Sequence, residues 1–473
     1  MKFLYLFATV FIVFSTSIAW SQRPEARNAP DWVKSGIMYQ INARAFTKEG
    51  TLPAATAKLE DLARLGVTIV YLWPVFTADD DMQQEFWSPR QIKSGLNNPK
   101  NPYRIKDYYD IDPEYGTRDD LKAFVERAHE LQMRVLFDLV YLHCGPKTVF
   151  IEDHPDFVKR DAEGEFAVSE EWPFPLLNFD NPQLREYLWN NMEYWVRDFG
   201  VDGFRWDVAD RIPLDFVSEG RKRLEKIRPD IGMLAEGHRP ENQLDAFDMN
   251  FGFPIYFRLR DAMDGTMPAS VLVETTRTQE TRQPKGGRFV LYIDNHDIAN
   301  DDYDKRREHR WGSDGVQVAL VACFTLHGIP MLYNGQEIAD KSRHSIYGNL
   351  SVDWSKAETK KGQERWDFCR NLIRIRKAHT AFSTDGAMEF IGNDHPEAIL
   401  SFVRSDENER ILVVINFRNE PIAVKVQTDI ASWDELFAKG KIVLSAPQPL
   451  FDLPPYGWFI GIERPCSETS KEL

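Results

Sequence analysis

Cysteine is scarce in this chain, with four in 473 residues: Cys144, Cys323, Cys369 and Cys466. They lie far apart, and none shows the close spacing of a metal-binding knuckle. No pairing can be read from their positions, so they are taken as thiols. Histidine is also sparse, at 10 residues. Basic side chains are too few to balance the acids: 58 Lys and Arg face 73 Asp and Glu, a net charge of −15. That balance argues against nucleic acid or an anionic membrane surface as a partner. After the first twenty residues no apolar run is long enough to span a bilayer, which takes about 20 such residues. Short repeats and low-complexity tracts are absent as well.

The N-terminus differs from the rest. Lys2 precedes an apolar run from Phe3 to Phe14, then Ser15, Thr16, Ser17 and the small-residue pattern Ala19-x-Ser21. The expectation is a signal peptide over residues 1–21, cleaved before Gln22, and a secreted or periplasmic protein with no membrane anchor. The remaining chain is well supplied for a large core, with 43% hydrophobic residues and 13% aromatics.

Between about residues 30 and 382 short apolar runs alternate with amphipathic stretches. Candidate strands are Ile37–Ile41, Val67–Trp73, Arg134–Val140, Gly203–Asp207, Met233–Glu236, Phe289–Ile293 and Pro330–Tyr333, with Phe247–Asn250 as a weaker eighth. Apolar runs without clean alternation are expected of strands buried on both faces. Helical spacing marks Thr117–Leu131, Asn181–Phe199 and Phe368–His379. The alternation predicts an α/β fold, a parallel (β/α)8 TIM barrel. The polar, proline-rich stretch 144–182 is too long for an ordinary loop and reads as a small inserted domain after the third strand. From 385 to 465 the pattern changes to antiparallel strands, with Ala398–Arg404, Arg410–Asn416, Ile422–Val426 and Trp458–Ile462 as candidates, and predicts a β-sandwich domain.

Four predicted strands end in acids: Asp138, Asp207, Glu236 and the stretch Asp294-Asn295-His296-Asp297. At the C-terminal mouth of such a barrel these would converge. Clustered carboxylates repel one another and persist where chemistry uses them. Divalent-metal catalysis and glycoside hydrolysis both fit such a cluster. The first would call for more clustered histidine. The second also explains Arg205, two residues before Asp207 and so on the same side of its strand. The rings of Tyr103 and Trp206 would offer faces to sugars.

These residues resemble the α-amylase family of glycoside hydrolases. Asp138-Leu-Val-Tyr-Leu-His143, Gly203-Phe-Arg205-Trp-Asp207, Glu236 after an apolar strand, and Asn295-His296-Asp297 are similar to its four signatures, in order. Gly66-Val-Thr-Ile-Val-Tyr-Leu-Trp-Pro74, the stretch from Tyr103 to Thr117 and Gly328-Ile-Pro330-Met-Leu-Tyr333-Asn-Gly335-Gln-Glu337 add to the likeness. The resemblance implies a retaining hydrolase of α-1,4-glucosidic bonds in starch-like glucans or maltodextrins. It implies Asp207 as nucleophile, Glu236 as acid/base and Asp297 as the carboxylate that holds the sugar in its distorted state. Substrate binding would fall to Tyr103, Asp138, His143, Arg205, Trp206 and His296. The same active site run as a transglycosylase, or a non-catalytic carbohydrate-binding relative, remains as an alternative. Many members hold a structural Ca²⁺ beside the inserted domain. Here Leu142 and Leu176 stand where oxygen ligands are usual, so no metal and no cofactor is expected. Asp210-Arg211 replace the usual Lys-His after the nucleophile, and Asp79-Asp80-Asp81 reads as a solvated turn.

Overall fold

The computed structural model describes residues 23–169, 171–301, 306–429, 432–444 and 449–464. The expected signal peptide and Cys466 lie outside the described residues. Eight parallel strands close into a barrel: β1 (Met38–Ile41), β2 (Ile69–Leu72), β3 (Arg134–Leu139), β4 (Gly203–Trp206), β5 (Gly232–Ala235), β6 (Met249–Phe251), β7 (Phe289–Leu291) and β8 (Ile329–Tyr333). Each pairs with its neighbours in sequence, and β8 returns to β1, Met38 lying opposite Met331. The weak eighth candidate is a strand that starts two residues later, at Met249, and ends one later, at Phe251.

Alternation along these strands separates two cores. Met38, Ile69, Tyr71, Leu136, Leu234, Met249, Val290 and Met331 point inward and fill the barrel. Tyr39, Val70, Phe137, Phe204, Trp206 and Met233 point outward, where the helices cover them. The helices begin and end on local signals. Arg118–Glu130 starts with a capping box in which Thr117 and Asp120 bond each other's backbone N–H. Pro182–Phe199 is capped by Asn181 and stops at Gly200, whose φ of 73° a side chain would resist. The helix expected over Phe368–His379 runs instead from Lys360 to Ala378, because the Thr359 hydroxyl caps it at Gly362.

Two insertions stand above the barrel mouth. An antiparallel pair, Phe76–Ala78 with Ile105–Ile111, follows β2. The stretch 144–182 is folded by single bridges, Val158 with Leu177, Arg160 with Phe166 and Val168 with Pro175, rather than by long strands. The C-terminal region is a sandwich of a five-stranded and a three-stranded antiparallel sheet. Val403, Leu412 and Phe459 of the first sheet share a core with Val424, Phe451 and Leu453 of the second. Four of its strands escape the sequence reading: Ala387–Phe390, Trp433–Lys439, Lys441–Leu444 and Leu450–Leu453. The first alternates only exposed and half-buried residues, so it carries little apolar periodicity.

Candidate active site

The site is built by β3, β4, β5 and the turn after β7. Asp138 and Arg205 are register partners on β3 and β4. Asp207 and Glu236 each stand one residue past a strand, and their backbone N–H groups continue the ladder to Leu139 and Trp206 carbonyls at 2.9 and 3.0 Å. Arg205, Asp207 and Asp138 therefore lie on the inward side of the barrel. The same alternation turns Trp206 outward.

Arg205 is buried among three carboxylates. Its Nη1 donates to Asp138 Oδ1 at 2.6 Å and Asp207 Oδ1 at 2.9 Å, and its Nη2 lies 2.9 Å from Glu236 Oε2. In sequence this arginine neighbours Asp207, and no basic residue neighbours Glu236 on its own strand; β5 brings Glu236 onto the other nitrogen of the same guanidinium across the sheet. Burial drives the carboxyls of Asp207 and Glu236 above their usual range, while Arg205 pulls both down. Repulsion from Asp207's neighbour Glu236, and from Asp297 on Glu236, adds to the rise. The charge on each of the two acids therefore bears on the titration of the other.

Glu236 is further held by the backbone. Val208, in the left-handed region at φ 45°, donates its N–H to Glu236 Oε2 at 2.7 Å. That conformation is costly for a β-branched residue and is sustained here beside the acids. Among the described residues, Asp207 Oδ2 and Glu236 Oε1 have no protein partner, and both side chains line the cleft.

Asp297 sits past β7, in the first turn of the helix His296–Asp301. Arg90 Nη1 donates to its Oδ1 at 2.6 Å, and His296 Nε2 lies 3.5 Å from its Oδ2. Burial pushes this carboxyl up, but His296 and Arg90 hold it well below the usual range. His296 belongs to a chain of hydrogen bonds whose polarity the backbone sets. Gln40 Oε1 accepts the His296 backbone N–H, so its Nε2 donates to His296 Nδ1 at 2.7 Å. His296 Nε2–H then donates to the Tyr103 hydroxyl at 2.7 Å, and that hydroxyl donates to Asp138 Oδ2 at 3.0 Å. Tyr71 donates to the same oxygen at 2.6 Å.

The cleft above these groups has a volume of about 570 Å³. Asp207, Glu236, Asp297, Tyr103, His143 and His296 all line it. The Tyr103 ring packs parallel to His296, with centroids 5.4 Å apart. His143 donates from Nε2 to the Tyr103 carbonyl at 2.9 Å, and burial lowers its pKa to about 4, so it is neutral at ordinary pH. Three expected substrate contacts lie elsewhere. Trp206 is in the outer core against Tyr141, Phe216 and Phe247. Asp138 and Arg205 are beneath the cleft floor, where Asp138 spends its oxygens on Arg205, Tyr71 and Tyr103. Arg90, Gln40 and Val208 escaped the sequence reading, since they come from loops or strands whose approach to the acids is a tertiary matter.

The departures from the family pattern have internal partners. Asp210 accepts from the His238 backbone N–H and from Asn242 Nδ2, both at 2.9 Å, and so fixes the loop after Glu236. Arg211 pairs with Glu171 at 2.7 Å and ties the inserted stretch to the loop after Asp207. The residues at the usual calcium position do not fit that ion: Leu142 is buried in the core and Leu176 packs against it. The acidic run is not simply a solvated turn. Asp79 and Asp81 are buried, and Arg104, Lys106 and Lys147 pair with Asp79, Asp80 and Asp81 in turn. Arg104 Nη2 also donates to the carbonyls of Asp79, Asp81 and Pro99.

A parallel barrel with three carboxylates lining one cleft at its mouth is the arrangement of a glycoside hydrolase. Residues 25–172 and 168–386 match the model of the alpha amylase catalytic domain, and residues 388–460 that of the maltogenic amylase C-terminal domain. The chain belongs to the α-amylase family. It is 28% identical over 449 residues to a cyclomaltodextrinase of a Bacillus species, covering 82% of this chain and 73% of that protein. It is 26% identical over 439 residues to the intracellular maltogenic amylase of Bacillus subtilis, covering 83% and 70%. Among solved structures, the noncanonic maltogenic alpha-amylase AmyB of Thermotoga neapolitana is similar with a TM-score of 0.77 and 28% identity, over 91% of this chain and 99% of that one.

The shared guanidinium leads to a stability prediction. Arg205→Met leaves the buried Asp138 and Asp207 and the half-buried Glu236 without their counter-charge, which should cost about 3–5 kcal/mol at pH 7. Without Arg205 the folded pKa values of Asp207 and Glu236 rise further above the unfolded ones, so the loss is largest at high pH, shrinks as pH falls through the folded values and is gone below the unfolded ones, near about 4. Denaturant midpoints of both proteins at pH 7 and pH 4.5 measure this. An equal gap at the two pH values would show that Arg205 acts by packing alone.

Proposed function

We propose that this enzyme hydrolyses α-1,4-glucosidic bonds of maltodextrins and starch-like glucans, with retention at the anomeric carbon. The observation that supports it most is the pair Asp207 and Glu236 on one guanidinium, each with one oxygen engaged and both side chains lining the cleft. Relatives named cyclomaltodextrinase and maltogenic amylase support the substrate class.

In this reading Glu236 Oε1 donates its proton to the glycosidic oxygen as Asp207 Oδ2 attacks the anomeric carbon. The bond to the leaving sugar breaks, and a glycosyl ester forms on Asp207. Glu236, now ionised, removes a proton from water. The water oxygen attacks the same carbon and the ester carboxylate departs, restoring Asp207. Arg205 offsets the charge that returns to Asp207 in the second step. Asp297, held ionised by Arg90, binds hydroxyls of the sugar while it is distorted. The test is product analysis on maltoheptaose with wild-type protein and Asp207→Ala. The wild type should give shorter maltooligosaccharides, and the variant should lose at least about 10³-fold in kcat. Products longer than the substrate would assign the site to transfer instead, and a variant keeping a tenth of kcat would displace Asp207 as nucleophile.

This enzyme needs no Ca²⁺ at the position usual in the family, because Leu142 and Leu176 supply hydrocarbon there. Melting curves with a chelator and with added Ca²⁺ should coincide, since only a ligand of the native state shifts them. A rise of several degrees with Ca²⁺, removed by restoring the chelator, would contradict this.

A further inference from the structure

Nearly all the aromatic rings among the described residues are buried or half-buried. Among the described residues Phe257 alone is more than a third open to solvent, at 44%. An isolated apolar side chain on a surface means little by itself. The position of this one is what counts. Phe257 lies on the helix Phe253–Met263, which leaves the top of β6, between β5 carrying Glu236 and β7 leading to Asp297. It is one turn beyond Phe253, so the two rings share a helix face, and both line the catalytic cleft. A second hollow of about 530 Å³ is also bordered by Phe253, Phe257 and Asp297, and so continues from the cleft. Phe257 thus forms the ridge over which a chain leaving the cleft would pass. The Arg260 guanidinium lies 5.2 Å from its ring centroid and Tyr256 packs at 5.2 Å, which hold the ring in place.

We propose that Phe257 is a stacking platform for a glucose ring remote from the bond being cut, and that it gives the enzyme a preference for glucan chains long enough to run past the cleft. The inference rests on the glucan reading above. The face of a glucopyranose presents a row of C–H groups, and an aromatic face carries the complementary negative charge. The ring is pre-positioned on a helix, so little side-chain freedom is lost on binding. The polar groups that would otherwise hold a sugar hydroxyl by hydrogen bonds are not needed, which suits a site that accepts successive identical units of a polymer.

The experiment compares kcat/KM on maltoheptaose and on maltotriose for the wild type, Phe257→Ala and Phe257→Tyr. In Phe257→Ala the ratio of the long to the short substrate should fall roughly three- to tenfold, mainly through KM, as expected for loss of one aromatic contact. Phe257→Tyr keeps the ring and should keep the ratio within about twofold of wild type. Alanine suits an exposed helical position, and the tyrosine variant supports the comparison if alanine disturbs the fold. A ratio unchanged in Phe257→Ala, or lowered as much in Phe257→Tyr, would overturn the platform while leaving the glucan reading intact. A wild type that cleaves neither substrate would overturn both.

Discussion

Three carboxylates and one guanidinium occupy the top of a closed barrel, and the arrangement of this site follows from how they share charge. Arg205 is buried and faces Asp138, Asp207 and Glu236 at 2.6 to 2.9 Å. One positive charge against three acids is an incomplete neutralisation. Burial pushes the carboxyls of Asp207 and Glu236 towards the protonated form, against the pull of Arg205. Asp138 does not line the cleft. Its oxygens are filled by Arg205, Tyr71 and Tyr103, and it anchors the guanidinium from below.

The barrel makes this arrangement possible through its period of two. Residues that alternate inward on β3 and β4 put Asp138, Arg205 and Asp207 on one side, and their outward neighbours enter the hydrophobic layer under the helices. Parallel pairing of β4 and β5 then sets Glu236 beside Trp206's carbonyl, within reach of the same arginine. Asp297 is treated in the opposite way: Arg90 gives it its own counter-charge and favours its ionised form. The site therefore contains acids in two electrostatic conditions, one pair able to hold a proton and a third kept charged.

The strands and the acids at their ends were legible in sequence because each is a local signal: an apolar run followed by Asp or Glu. Arg205 was legible for the same reason, being two residues from Asp207. The structure departs wherever a partner comes from another strand or loop. Glu236 has no basic neighbour along β5, yet it meets Arg205 across the sheet. Trp206 reads as an aromatic beside a catalytic acid, but alternation sends it to the outer core. Arg90 and Gln40 are distant in sequence from every acid they influence. The weakest strands of the C-terminal sheets, such as Ala387–Phe390, face solvent on alternate positions and are fixed by pairing rather than by their own composition.

The central claim is that Asp207 carries the covalent bond to the sugar while Glu236 moves the proton. It is tested most directly by trapping that ester with an activated fluoro-sugar of the α-gluco series, whose fluoride leaves without protonation and whose ester hydrolyses slowly. Peptide mapping by mass spectrometry should find one added glycosyl unit on the peptide that contains Asp207, and on no other acid. An adduct on Glu236 or Asp297, or turnover with inversion and no adduct at all, would contradict the account.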